Sequence, residues 1–145
     1  MVGLSYLTME DVAQIPTRKT PLHVAVYAPL ALAPVPPDVV LVRGNARQLM
    51  LLAEAAQAAG VAGTGATMGR PTCAVIPEAI NSTHTAASFG CIGNRVYTGA
   101  EATDAYFGIP GARLAAVEQK LSTIVHANQE LEKFHRGRAA AASAG

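Results

Sequence analysis

Cysteine is scarce in this sequence: Cys73 and Cys91 are the only two among 145 residues, too few for a disulfide framework. Neither sign of charge is in excess, with eleven Lys and Arg against ten Asp and Glu, so no broad field marks a binder of nucleic acid or of an anionic membrane. Residues 1–7 lack a basic leader, and Glu10 and Asp11 follow at once, which argues against a secretory signal. The expected compartment is the cytoplasm, where thiols stay reduced. An unbroken apolar run of membrane length is also missing. Residues 22–42 come nearest, but Pro29, Pro34, Pro36, Pro37 and Asp38 interrupt them. Small molecules and other proteins remain as partners.

Half of the residues are hydrophobic, enough to build the core of one domain, expected over residues 1–138 with a disordered tail at 139–145. Residues 23–28 and 38–42 are short runs rich in β-branched side chains and bounded by Pro and Gly, and they read as strands. Asn45 can cap a helix over residues 46–59, with Gln48 at the capping-box position and Gly60 closing it. The glycine-rich stretch 60–71 has no apolar period and is expected to be an exposed, mobile loop. A short helix over 72–80 follows, then strands at 85–89, 95–98 and 105–109. A final helix starts near Ala112, with Leu114, Val117, Leu121, Ile124, Asn128 and Leu131 on one stripe. These elements predict an α+β fold, a mixed or antiparallel sheet with helices packed on one face. Asp38 precedes Ala46-Arg47 at the same offsets at which Asp104 precedes Ala112-Arg113, an echo that suits a duplicated β-β-α unit.

Three patterns bear on chemistry. The glycines between Gly63 and Gly69 suggest a phosphate loop, but they follow a helix rather than a strand and lack a Gly-Lys-Ser/Thr ending, so they read as a flexible connection. Arg70-Pro71-Thr72-Cys73 is more informative, because Pro71 suits the first turn of a helix and puts Thr72 and Cys73 near its positive end. In Gly90-Cys91-Ile92-Gly93-Asn94-Arg95 the glycines allow close backbone approach and Arg95 supplies a fixed charge. Arg70, Thr72, Cys73, Gly90, Cys91, Gly93, Asn94 and Arg95 together define a candidate cradle for a small anionic ligand or cofactor. The same residues fit a second reading, a glycine-rich turn in which Cys91 is a small hydrophobe. Cys73, Cys91 and His84 are too few donors for a self-contained metal site. A thiol enzyme would need His84, His126 or His135 beside a cysteine, and no spacing pairs them.

Pro71-Thr72-Cys73-Ala74, the run from Ser88 through Gly99, Ile109-Pro110-Gly111, and Ala127-Asn128 with Leu131, Glu132, His135 and Arg138 resemble the bacterial and archaeal proteins grouped as the domain of unknown function DUF169. The resemblance carries no activity, substrate or cofactor with it. It directs attention to Cys73 and to the Gly90–Arg95 turn. It also implies that family members begin with a further cysteine-bearing segment, so that this chain corresponds to the C-terminal part. A homodimer, or a complementing N-terminal chain, is the expectation that follows.

Overall fold

The computed structural model describes residues 27–143. Strand β1, Val39–Asn45, runs without a linker into helix α1, Ala46–Ala58. Asn45 makes that junction. Its backbone is extended, its side chain accepts from the Gln48 amide at 3.0 Å, and the Gln48 side chain accepts from the Asn45 amide at 3.0 Å. The expected capping box is therefore formed, and such a cap contributes about 1 kcal/mol. Beyond it lie β2 (Gly63–Thr64), a 3-10 turn (Thr72–Ala74), α2 (Val75–Ser82), β3 (Thr85–Ser88), α3 (Ile92–Tyr97) and β4 (Asp104–Pro110). Another 3-10 turn, Gly111–Arg113, leads into the long α4, Leu114–Ser143.

The sheet order is β1-β4-β3-β2. β4 is antiparallel to both neighbours and β2 is parallel to β3, so the fold is α+β, with a mixed sheet of four strands among the described residues. Register decides which side chains share a face. Val42, Ala87 and Phe107 stand together, as do Val40 and Ile109, and this face meets Leu52, Ala55 and Ala56 of α1 and Val117 of α4. The two long helices thus share one face, as the sequence predicts. The opposite face carries Val39, Leu41 and Ala86 and is covered by Val75 and Ala79 of α2. Gly108 permits that contact: a Cβ there would lie 2.5 Å from Val75 Cγ1, so any side chain would lift α2 off the strand.

Four expectations need correction or restriction. Of residues 95–98, read as a strand, 95–97 belong instead to helix α3 and Thr98 is its C-cap. The β-branched run there mimics a strand, but the amides of Arg95 and Thr98 bond back to the carbonyls of Cys91 and Asn94. Residues 60–71 are more ordered than a mobile loop. β2 pairs with β3, and the buried Thr67 donates its hydroxyl to the Ala87 carbonyl at 2.7 Å. Of the tail expected to be disordered at 139–145, the described residues 139–143 continue helix α4 to Ser143, in keeping with the high helix propensity of alanine. The expected first strand falls largely on residues 23–26, outside the described residues. The two segments that echo each other, β1–α1 and β4–α4, lie with their strands side by side and antiparallel.

Helices α1 and α4 pack antiparallel. Just beyond the end of α1, the Gly60 carbonyl accepts from Arg113 at 3.2 Å; at its start, Arg47 pairs with Glu132. Leu121 and Ile124 pack against the core of their own chain, and Asn128 donates back to the Ile124 carbonyl at 3.0 Å. The apolar stripe is therefore spent within the chain down to Ile124.

Glu132 also accepts from Arg136 at 2.6 Å. That hydrogen bond, followed by the charge of Arg47, holds the Glu132 carboxyl below its ordinary value. A lowered folded value means that the stabilisation is complete above the ordinary carboxylate range and is lost as pH falls through it. The wild type is expected to hold a small stability advantage over Glu132→Gln at neutral pH that vanishes in acid. Thermal melts of both proteins across pH check it, and a pH-independent difference would reject this role.

Candidate functional site

The turn after β3 meets the 3-10 turn before α2 through one buried amide. Asn94, on α3 and about 1% exposed, uses Oδ1 to accept from the Thr72 hydroxyl at 2.5 Å and from the Cys91 thiol at 2.9 Å. Two segments twenty residues apart in sequence are joined by this contact. The two donors differ in their access to water: Thr72 is buried, whereas Cys91 at the start of α3 is half-buried. A shared acceptor inside the protein is costly to remove, because the buried Thr72 hydroxyl left behind loses its partner without regaining water.

A second set of bonds supports the first from the sheet side. Ser88, the last residue of β3, donates to the Arg70 carbonyl at 2.6 Å and accepts from the Gly90 amide at 3.0 Å. The Phe89 amide donates to the Met68 carbonyl at 3.2 Å. Gly90 has φ +91°, a conformation that side chains avoid. A Cβ there would also stand 3.1 Å from Cε2 of Tyr106. Tyr106 of β4 is the cross-strand partner of Ser88 and supplies the floor under the turn.

The structure thus brings together Thr72, Gly90, Cys91 and Asn94, with Cys73 buried in the adjoining 3-10 turn and neither cysteine in a disulfide. Gly93 is half-buried within α3. Arg70 is exposed at the rim. Arg95 is placed differently from a ligand cation: its guanidinium donates to the carbonyls of Phe89 at 2.9 Å and Asp104 at 3.4 Å, and to that of Glu101. Its charge holds the 98–104 turn against α3. Residues that sequence reasoning missed are Ser88 and Tyr106, which carry no local signal and become neighbours only through sheet register.

The histidines considered for thiol catalysis lie apart from this cluster. His84 precedes β3, at the opposite end of the strand from Ser88, about 13 Å away at normal strand rise, and its amide donates to Ser82 Oγ at 3.1 Å. His126 and His135 lie on α4, across the sheet. Among the described residues no three His, Cys, Asp or Glu side chains converge to hold a metal ion. Two shallow grooves occur elsewhere: one of about 250 Å³ between α1 and α4, bordered by Met50, Leu131 and His135, and one of about 400 Å³ bordered by His84 and Arg113. No described helix is long and apolar enough to cross a membrane.

What the fold and cluster define is an α+β domain with a cysteine-bearing turn clamped to a mixed sheet by a buried asparagine. The chain belongs to the DUF169 family, described as uncharacterised ArCR, whose model matches residues 7–120. No curated protein matches the chain. No solved structure matches it either.

Replacing Asn94 by Ala removes the acceptor shared by Thr72 and Cys91. The expected outcome is a loss of about 2–3 kcal/mol in urea unfolding with an unchanged slope, together with faster alkylation of Cys91 in the folded protein. Unchanged stability and labelling would show that the two segments are held by other contacts.

Proposed function

We propose that this domain binds a small ligand or cofactor at the Gly90–Cys91 turn, with Thr72, Cys73, Asn94 and the Gly90 backbone around it. The observation that carries the reading is the convergence on Asn94: a buried amide positions a half-exposed thiol beside a backbone that only glycine can adopt. Sites of this kind rest on preorganised polar groups set in an apolar surround, and Phe89 and Ile92 supply that surround. Any anionic part of the ligand is met by Arg70, which is exposed at the rim. Arg95 serves the same site by shaping the turn. The thiol in this arrangement is a donor to Asn94, with none of the described histidines placed to take its proton, so binding is favoured over nucleophilic catalysis.

Native mass spectrometry of gently purified protein, followed by thermal shifts across a metabolite and metal panel, tests the reading. A bound species, or a stabilising compound, whose effect is lost in Cys91→Ser and weakened in Arg70→Ala is expected. A wild-type protein that carries nothing and responds to nothing would reject it.

A second reading, assembly with another copy or with a complementing chain, is favoured by one observation. Ile92 and Val96, one turn apart on α3, and the adjoining Tyr97 are 79%, 66% and 78% exposed, and clustered exposed apolar side chains mark interaction surfaces. Sedimentation of the wild type decides it: a self-associating species, or one that gains mass with a partner, is expected, and a concentration-independent monomer would exclude the homodimer.

A further inference from the structure

The Tyr106 hydroxyl is the one buried side-chain polar atom among the described residues that has no hydrogen-bond partner. Tyr106 is 4% exposed, and burying a hydroxyl without a partner is unfavourable enough that native proteins rarely keep one without cause. Its position is informative. Tyr106 projects from β4 on the face that also carries Ser88, and the Cδ2–Cε2 edge of its ring lies directly against Gly90. The hydroxyl is therefore beneath the turn that bears Cys91. The neighbouring polar side chains are already engaged: Ser88 with Arg70 and Gly90, Thr72 and Cys91 with Asn94.

We infer that the Tyr106 hydroxyl is the inner contact of the ligand site, and that it takes a neutral hydrogen-bonding group, a carbonyl, hydroxyl or amide, at the end of an apolar body. This inference rests on the binding reading above and specifies its ligand. Neutrality follows from the charges nearby. Arg95, the cation closest to Gly90 among the described residues, with Nη2 3.8 Å from the position of a Gly90 Cβ, is committed to backbone carbonyls. A buried anion would then face a lone phenol with no counter-charge, at a cost well beyond that of a neutral group. The apolar body follows from the two exposed apolar residues that flank the turn in sequence, Phe89 at 65% and Ile92 at 79% exposed. Entry requires the Gly90–Cys91 turn to lift, and α3, a helix of six residues, is short enough to move with it.

Three isosteric probes and one substitution test this. Benzamide, benzyl alcohol and benzoate are titrated at millimolar concentration into wild-type protein and into Tyr106→Phe, following the backbone amide signals of Gly90 and Cys91 by NMR. Tyr106→Phe deletes one oxygen and is expected to fold, with an equal or higher melting temperature because an unpartnered hydroxyl is removed. Benzamide or benzyl alcohol is expected to bind the wild type about fivefold more tightly than the variant, and benzoate to bind the wild type more weakly than either. Equal affinity for both proteins, or benzoate as the best ligand, would overturn the inference while leaving a site at the turn. Failure of all three probes to perturb Gly90 and Cys91 would overturn the inference and count against the site itself. A lower melting temperature for ligand-free Tyr106→Phe would overturn it as well, since the hydroxyl would then have a resident partner.

Discussion

Strand β4 is the constraint on which the remainder of the structure depends. Its alternate residues must satisfy two different neighbours: Phe107 and Ile109 fill the layer beneath α1 and α4, while Gly108 leaves room for α2 on the other side. A side chain at Gly108 would displace α2, and with it the 3-10 turn that carries Thr72 and Cys73. Tyr106, one pleat away on that same face, floors the turn at Gly90. Packing of the core and placement of the cysteine-bearing turn are thus two consequences of a single alternating strand.

The polar cluster is unusual in its economy of donors and acceptors. One asparagine oxygen accepts twice, one serine hydroxyl both donates and accepts, and one arginine gathers carbonyls from Phe89, Glu101 and Asp104. Each of these replaces secondary structure in holding a segment that the sheet does not reach. That is why α3 can display Ile92, Val96 and Tyr97 to solvent and still keep its place: its anchor is the buried amide of Asn94, not an apolar face. An element held by polar contacts at one point leaves its outer surface open for another molecule.

The long helices use a different logic. Between Leu114 and Ile124 the stripe of α4 is buried against α1 and the sheet, which consumes the residues that a coiled-coil seam would need. Asn128, at a position where an interhelical pair would fix register, bonds instead to its own helix. Past that point Arg47 of α1 pairs with Glu132 of α4, which also pairs with Arg136 one turn along its own helix. Surface pairs of this type contribute little each and weaken with salt, so the alignment of the two helices owes more to Leu52, Ala55 and Val117 than to the charges.

The capping box at Asn45, the α1 helix, the strand at Val39, the strand before Pro110 and the α+β class were all legible in the linear sequence, because each depends on residues within a turn or two of one another. The segment 95–98 was not. Val96 and Tyr97 have the propensities of a strand, and the helix they join is anchored by Asn94 to Thr72, twenty-two residues away. Order within residues 60–71 likewise came from outside, through the pairing of Gly63 with Thr85 and of Thr67 with Ala87. For the candidate site, the sequence marked the residue types at Thr72, Cys73 and Gly90–Arg95 by their composition. Tertiary structure alone decided their roles. It turned Arg95 toward backbone carbonyls, made Asn94 the shared acceptor, and set Tyr106 beneath Gly90, because sheet register and loop closure bring together groups that no local pattern relates.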